Sequence, residues 1–189
     1  MPSVAAEKYI TPEEYLAVER RAEYKSEYIK GKVFSMSAAN HAHNLITVEI
    51  ATELNIQLRD RGNEVYASTM RVRTSRTGAY FYPDVAVVCD KPRFEDNVFD
   101  TLLNPILVVE VLSPSTEVYD KGEKFAHYQE LASLREYVLV SQDRICVEHY
   151  RLMGMQWIGK TLHTPEDVLL LDSIECKLPL QDIYARLIL

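Results

Sequence analysis

The sequence predicts a single α/β domain in which the central strands are covered on both faces. Three observations carry that expectation. Val85–Val88 and Ile106–Leu112 are nearly continuous apolar runs, the mark of strands buried on two sides. Segments 28–36 and 64–74 alternate apolar and polar residues, as half-buried strands do. Ile46, Ile50, Leu54 and Leu58 recur at four-residue spacing, the stripe of an amphipathic helix.

In chain order, Thr11-Pro12-Glu13-Glu14 predicts a helix start, with Thr11 as N-cap, Pro12 at the first helical position and Glu14 closing a capping box; the helix runs to about Arg20. Residues 28–36 follow as a hairpin around Gly31 with one buried face. The long helix begins near Asn44 and is terminated by Gly62. From Glu64 to Thr74 one strand is expected, with Met70 and Val72 on one face and Thr69, Arg71 and Arg73 on a solvated or ligand-facing side. After the two apolar strands come a helix from about Thr116 to Leu131 and strands at Glu136–Val140 and Ile145–Tyr150. Leu-rich segments at Val168–Leu171 and Ile183–Leu189 close the chain without a functional reading. The 189 residues suit one domain, with a core over about 11–150 and a C-terminal extension over about 151–189.

Composition excludes several classes. No apolar window approaches the length of a membrane span, and the N-terminus lacks a secretory pattern, so a cytoplasmic protein without membrane association is expected. Cys89, Cys146 and Cys176 are odd in number, far apart and without a CxxC pair, which removes a disulfide framework and a thiolate zinc site. Each is read as a small core residue. No GxxxxGK[ST] loop exists, and Ser113 and Ser115 lack the Gly-x-Ser-x-Gly elbow of a serine hydrolase. The net charge of −7, 28 acidic against 21 basic residues, opposes any polyanion partner unless bound cations change the local sign.

Glu110 is the most informative residue, because a carboxylate inside ILVVEVL needs a buried partner to offset its desolvation. An arginine or a backbone amide would suffice for Glu110 taken alone. Asp84 follows Tyr82-Pro83 at the mouth of the other apolar strand. Together they say more: neighbouring strands lie roughly 4.8 Å apart, so both carboxylates could ligate one hard divalent cation, as magnesium prefers.

Pro83-Asp84 followed by Glu110-Val111-Leu112 resembles the signature of the PD-(D/E)XK nuclease superfamily. The wider series is similar to the Uma-type restriction endonuclease family. That series comprises Glu27 and Gly31 in SEYIKGKVFSM, His43 in HNLI, Pro83-Asp84, Glu110 through Thr116 in EVLSPST, Asp120, Lys124, Tyr128, and Arg135-Glu136-Tyr137. The resemblance implies a restriction-endonuclease-like mixed sheet flanked by helices, Asp84 and Glu110 as metal ligands, and Glu27 as a third acidic residue. It also implies a homodimer. Leu112 stands where the superfamily carries its lysine, so the catalytic cation must come from elsewhere. Lys124 is assigned that role because Asp120, Lys124 and Tyr128 share a helix face, with Lys121 as substitute. Lys124 read without the resemblance is half of an Asp–Lys pair on a solvated face.

His43 is read either as a support for water or phosphate at a helix N-terminus or as part of the cap, and His41 as incidental. Arg71 and Arg73 are candidates to grip a DNA backbone, although exposed strand arginines are more often solubilising residues. Tyr82, Tyr119 and Tyr128 are candidates for base stacking or for packing. The function expected is Mg²⁺- or Mn²⁺-dependent hydrolysis of DNA by water, with Asp84, Glu110, Glu27 and Lys124 catalytic and His43, Tyr128 and Asp120 supporting. A catalytically silent binding or assembly module of the same fold is the alternative. A hydrolase of small phosphorylated molecules is a third reading.

Overall fold

The computed structural model describes residues 9–36, 38–74 and 78–188. Helix α1 (Pro12–Glu19) begins at the expected capping box: the Thr11 hydroxyl accepts from the Glu14 amide, and the Glu14 carboxylate accepts from the Thr11 amide. Strands β1 (Ser26–Ile29) and β2 (Lys32–Ser35) form the hairpin. Lys30 and Gly31, both at positive φ, make the two-residue turn whose twist suits such a ribbon. Only β1 is buried; β2 is exposed throughout. Helix α2 (His41–Leu58) starts three residues before the expected Asn44, capped by Asn40, and the chain leaves it at left-handed Gly62.

The strand predicted over 64–74 is two strands. β3 (Glu64–Ala67) ends at Ser68, where positive φ turns the chain out of the sheet and the Ser68 amide donates to the Asp84 carbonyl at 2.8 Å. β4 (Arg71–Arg73) then joins a different sheet. The two faces expected of one strand therefore do not exist, and Arg71 is internal rather than ligand-facing, with 2% of its surface exposed.

The remaining strands are β5 (Tyr80–Phe81), β6 (Val85–Val88), β7 (Thr101–Leu102), β8 (Leu107–Leu112), β9 (Glu136–Ser141), β10 (Val147–Met153), β11 (Gln156–Leu162), β12 (Val168–Leu171) and β13 (Cys176–Pro179). Six of the strands form the main sheet in the order β11-β10-β9-β8-β6-β3. It is mixed: β8 and β9 are parallel, and β6 and β8 are antiparallel. A second sheet, β2-β1-β5-β4-β7, carries the N-terminal hairpin.

β6, β8 and β9 are buried along their whole length, as their apolar runs require. Val85, Val87, Val109, Val111, Val138 and Val140 pack with Ile46, Ile50, Leu54 and Leu58 of α2. Each fully buried side chain of this size contributes about 1.5–3 kcal/mol. The alternate residues Ala86, Val88, Val108, Leu112, Tyr137 and Leu139 pack on the opposite side with Phe125 and Tyr128. Glu110 takes that second side by the same alternation.

The turn after β8 is built by its Ser-Pro-Ser-Thr sequence: the Ser113 carbonyl accepts from the amides of Thr116 and Glu117 and starts the return over the sheet. Helix α3 (Glu117–Tyr119), a π-helical turn (Asp120–Lys124) and α4 (Phe125–Tyr128) follow without a break. The segment expected as an extension is integral to the core. β11 lengthens the main sheet, and Leu169, Leu171, Leu178, Leu180 and Ile183 pack with the α2 stripe. Ile183 ends the short helix α5 (Leu180–Ile183), and Leu189 lies outside the described residues. The three cysteines are free; Cys176 is buried and Cys89 and Cys146 are half-buried.

Candidate functional site

Antiparallel pairing sets Val85 against Val109 and Ala86 against Val108. One more step of the register brings position 84 opposite position 110. Asp84 occupies the place where the ladder opens: its Oδ2 accepts from the Val111 amide at 2.8 Å, and its Oδ1 lies 2.7 Å from His43 Nε2. The first turn of α2 thus holds one carboxylate oxygen and β8 the other. His43 serves this contact while its amide receives the Asn40 cap.

Glu110, 4% exposed, meets Lys124 Nζ at 2.9 Å and accepts from the Tyr128 hydroxyl at 3.1 Å. Lys124 is equally close to Glu27 Oε1, at 2.9 Å, and lies 3.6 Å from Asp120 Oδ1. Lys124 therefore sits inside the molecule, 5% exposed, and not on a solvated helix face. The π-helical turn spans Asp120 to Lys124 itself, and such turns widen a helix locally, often at functional sites. From its far side, the Tyr137 hydroxyl donates to the Asp120 carbonyl at 3.0 Å, and the Tyr137 ring stacks on Phe125.

The charges do not balance. Lys124 is the ammonium among Glu110, Glu27 and Asp120, and Asp84 is close enough to act on Glu110 as well. Burial raises the Glu110 carboxyl well above its ordinary range; Lys124 opposes this, and Asp120, Asp84 and Glu27 add to it. Burial alone would discharge Lys124, but Glu110, Glu27, Tyr128 and Asp120 outweigh it and keep the amine strongly basic. Tyr128 is held protonated, first by burial and then by Glu110, so its hydroxyl remains a donor. Glu27 Oε1 is buried and touches Lys124 as an ion pair, with no hydrogen bond.

This donor set fits a hard divalent cation. Magnesium takes one or two carboxylates and fills its other positions with water and substrate oxygens. Asp84 and Glu110 could supply the carboxylates, and three carboxylates gathered around one ammonium favour an added cation. Among the described residues no three His, Cys, Asp or Glu side chains converge as a ready cage, so an all-protein metal site is absent there.

The structure thus brings Glu27, Glu110, Asp120, Lys124 and Tyr128 together and ties His43 to Asp84. It takes other residues away from the site. Arg71 donates to Tyr82 and Thr101 and pairs with Asp100 in the interior. Arg73 pairs with Glu95 at 2.8 Å. Tyr82 and Tyr128 are buried and offer no face to a base. Lys121, the substitute lysine, pairs with Glu117 and Glu148. Sequence reasoning missed Glu19, whose carboxylate binds Ser26 and the distant Tyr82. A charged residue closing a short helix carries no signal for such a contact.

A mixed sheet with acidic residues where β6 and β8 meet, backed by a lysine on the following helix, defines a restriction-endonuclease-like domain. The chain matches the family Uma2, described as "Putative restriction endonuclease", over residues 12–181, and it belongs to that family. It is 39% identical over 159 residues to the uncharacterized protein sll1609 of Synechocystis sp. PCC 6803, covering 84% of this chain and 90% of that protein. To slr1290 of the same organism it is 38% identical over 141 residues, 75% of this chain and 73% of the other. The fold is similar to a solved chain from Anabaena variabilis titled "a putative nuclease belonging to DUF820". The TM-score is 0.78 and the identity 22%, with 93% of this chain and 98% of that chain covered.

Proposed function

We propose that this protein hydrolyses phosphodiester bonds of DNA with the help of Mg²⁺ or Mn²⁺ held by Asp84 and Glu110. The observation that supports it most is the meeting of Glu110, Glu27 and Asp120 around buried Lys124, beside a His43-bound Asp84, in a member of a restriction-endonuclease family. A divalent cation, when bound, would polarise the phosphate and lower the pKa of a coordinated water.

The chain's own residues do the positioning. His43 and the Val111 amide orient the Asp84 carboxylate. Tyr128 and Lys124 orient Glu110, and Lys124 adds positive charge near the point where a scissile phosphate would gain negative charge. Glu27 anchors Lys124 from the N-terminal hairpin. Two copies in a homodimer, in the cytoplasm, would set two such sites against the two strands of a duplex. No described helix is long and apolar enough to cross a membrane.

A binding or assembly module of the same fold is the second reading, favoured by one observation: Lys124 is already engaged by two carboxylates and is nearly sealed from solvent. Supercoiled plasmid incubated with Mg²⁺ or Mn²⁺ separates the two. Nicking or linearisation by the wild type, blocked by chelator and reduced about a thousandfold in Asp84→Ala and Glu110→Ala, is expected. Equal cleavage by variants and wild type would overturn the assignment. No cleavage together with no calorimetric Mn²⁺ binding would overturn the nuclease reading and leave the module.

A further inference from the structure

The two acidic limbs of the site come from separate sheets, Glu27 from β1 and Asp84 from the mouth of β6, and one buried carboxylate outside the site touches both limbs. Glu19, the last residue of α1, is 8% exposed. Its Oε1 accepts from the Ser26 amide at 2.9 Å, and its Oε2 accepts from the Ser26 hydroxyl. Ser26 is the residue before Glu27. The same Oε1 accepts from the Tyr82 hydroxyl at 3.0 Å, and Tyr82 leads through Pro83 into Asp84.

Behind this bridge stands a buried guanidinium. Arg71 Nη1 donates to the Tyr82 oxygen at 2.8 Å, so the hydroxyl accepts from Arg71 while donating to Glu19. Arg71 Nε donates to the Thr101 hydroxyl at 3.0 Å, and Arg71 Nη2 lies 2.8 Å from Asp100. Asp100 in turn holds Arg20, the residue after α1, through both its oxygens. The chain Ser26–Glu19–Tyr82–Arg71–Asp100–Arg20 therefore returns to the helix that carries Glu19. Each bond in it is charge-assisted or links to one that is, and such bonds are the stronger kind.

We infer that Glu19 is a positioning residue: through Ser26 and Tyr82 it fixes the separation of Glu27 and Asp84, and Arg71 locks Tyr82 in the donating orientation. Arg71, from sequence a candidate for DNA contact or for solubility, acts on the site from within. The inference rests on the nuclease reading for its effect on catalysis, but not for its effect on the position of Asp84. Misplacement by an ångström costs up to about a hundredfold in rate. Losing one tether of several should cost less, about tenfold.

Glu19→Gln and Tyr82→Phe test it, since both preserve shape: the first turns one acceptor oxygen of the bridge into a donor, and the second removes the hydroxyl that bonds both Glu19 and Arg71. In plasmid cleavage kcat should fall about tenfold in each, with KM changed less than about twofold, and the double variant should lose no more than the worse single one. A KM rise at unchanged kcat, or additive losses, would overturn the inference. Amide exchange followed by NMR provides a readout independent of cleavage. The Val111 amide is held by Asp84 Oδ2. It should exchange at least about fivefold faster in both variants, while the Val138 amide in the next strand is unchanged. If the wild type cleaves nothing, the nuclease reading fails, and the exchange result alone decides the inference. Unchanged protection at Val111, or equal loosening at Val138, would overturn it.

Discussion

Two carboxylates lie buried on neighbouring strands of the main sheet and are satisfied in opposite ways. Glu136, on β9, has no exposed surface; it accepts from the amides of Asp172 and Ser173, the Ser173 hydroxyl and His149 Nε2. Those donors belong to a turn and a strand that close the C-terminal part of the fold. Glu110, on β8, has the Tyr128 hydroxyl and shares the Lys124 ammonium with Glu27 and Asp120. The first is a staple, its acceptor capacity filled by fixed donors. The second is an electrostatic surplus, and a surplus of negative charge is what a cation site needs. Burial of a carboxylate therefore does not by itself mark function; the nature of its partners does.

That contrast is sharpest at the shared cation. Lys124→Met should cost about 3–5 kcal/mol in urea denaturation, because it strands buried carboxylates without their ammonium, and it should abolish cleavage. Glu136→Gln should cost about 1–3 kcal/mol, since the Gln amide group sets an NH₂ against donors that faced a carboxylate oxygen, and cleavage per folded molecule should be unchanged. If Glu136→Gln stopped cleavage without loss of stability, the distinction between staple and surplus would collapse.

A third carboxylate, Asp100, ties pH-dependent stability to the network that runs behind the site. Hydrogen bonds from Arg20 hold its carboxyl well below the ordinary range; burial opposes this, and Arg71 and Thr101 reinforce it. A depressed folded pKa stabilises above the unfolded value, about 3.9, and the benefit is lost as pH falls through the folded value. Asp100→Asn should therefore lose about 1 kcal/mol at neutral pH, and this deficit should shrink steadily below about pH 4. Chemical denaturation at stepped pH would show it. A deficit that grew in acid would contradict the Arg20 pairing.

The parts of this molecule legible in its sequence are those written in local patterns. The capping box, the α2 stripe and the doubly buried runs of β6 and β8 all follow from residues within a turn or two of each other. The break at Ser68 was not legible, because it depends on a contact with the Asp84 carbonyl across the sheet. The fate of Arg71 followed from that break: alternation assigned it an open face, and the sheet to which β4 belongs buried it. The C-terminal leucines were visible as a pattern without a destination, which only the packing against α2 supplied. At the site, Asp84 and Glu110 could be singled out because a charge beside an apolar run is conspicuous, and Lys124 because the family resemblance asked for a lysine and its spacing from Asp120 and Tyr128 offered one. Glu19 could not, since its partner Tyr82 lies far along the chain.

The most direct measurement of the central claim is anomalous diffraction from crystals of the wild type and Glu110→Ala soaked in Mn²⁺. A peak within coordination distance of both the Asp84 and the Glu110 carboxylates, lost in the variant, is the expected result. A wild-type map with saturating Mn²⁺ but no peak between those two side chains would contradict it.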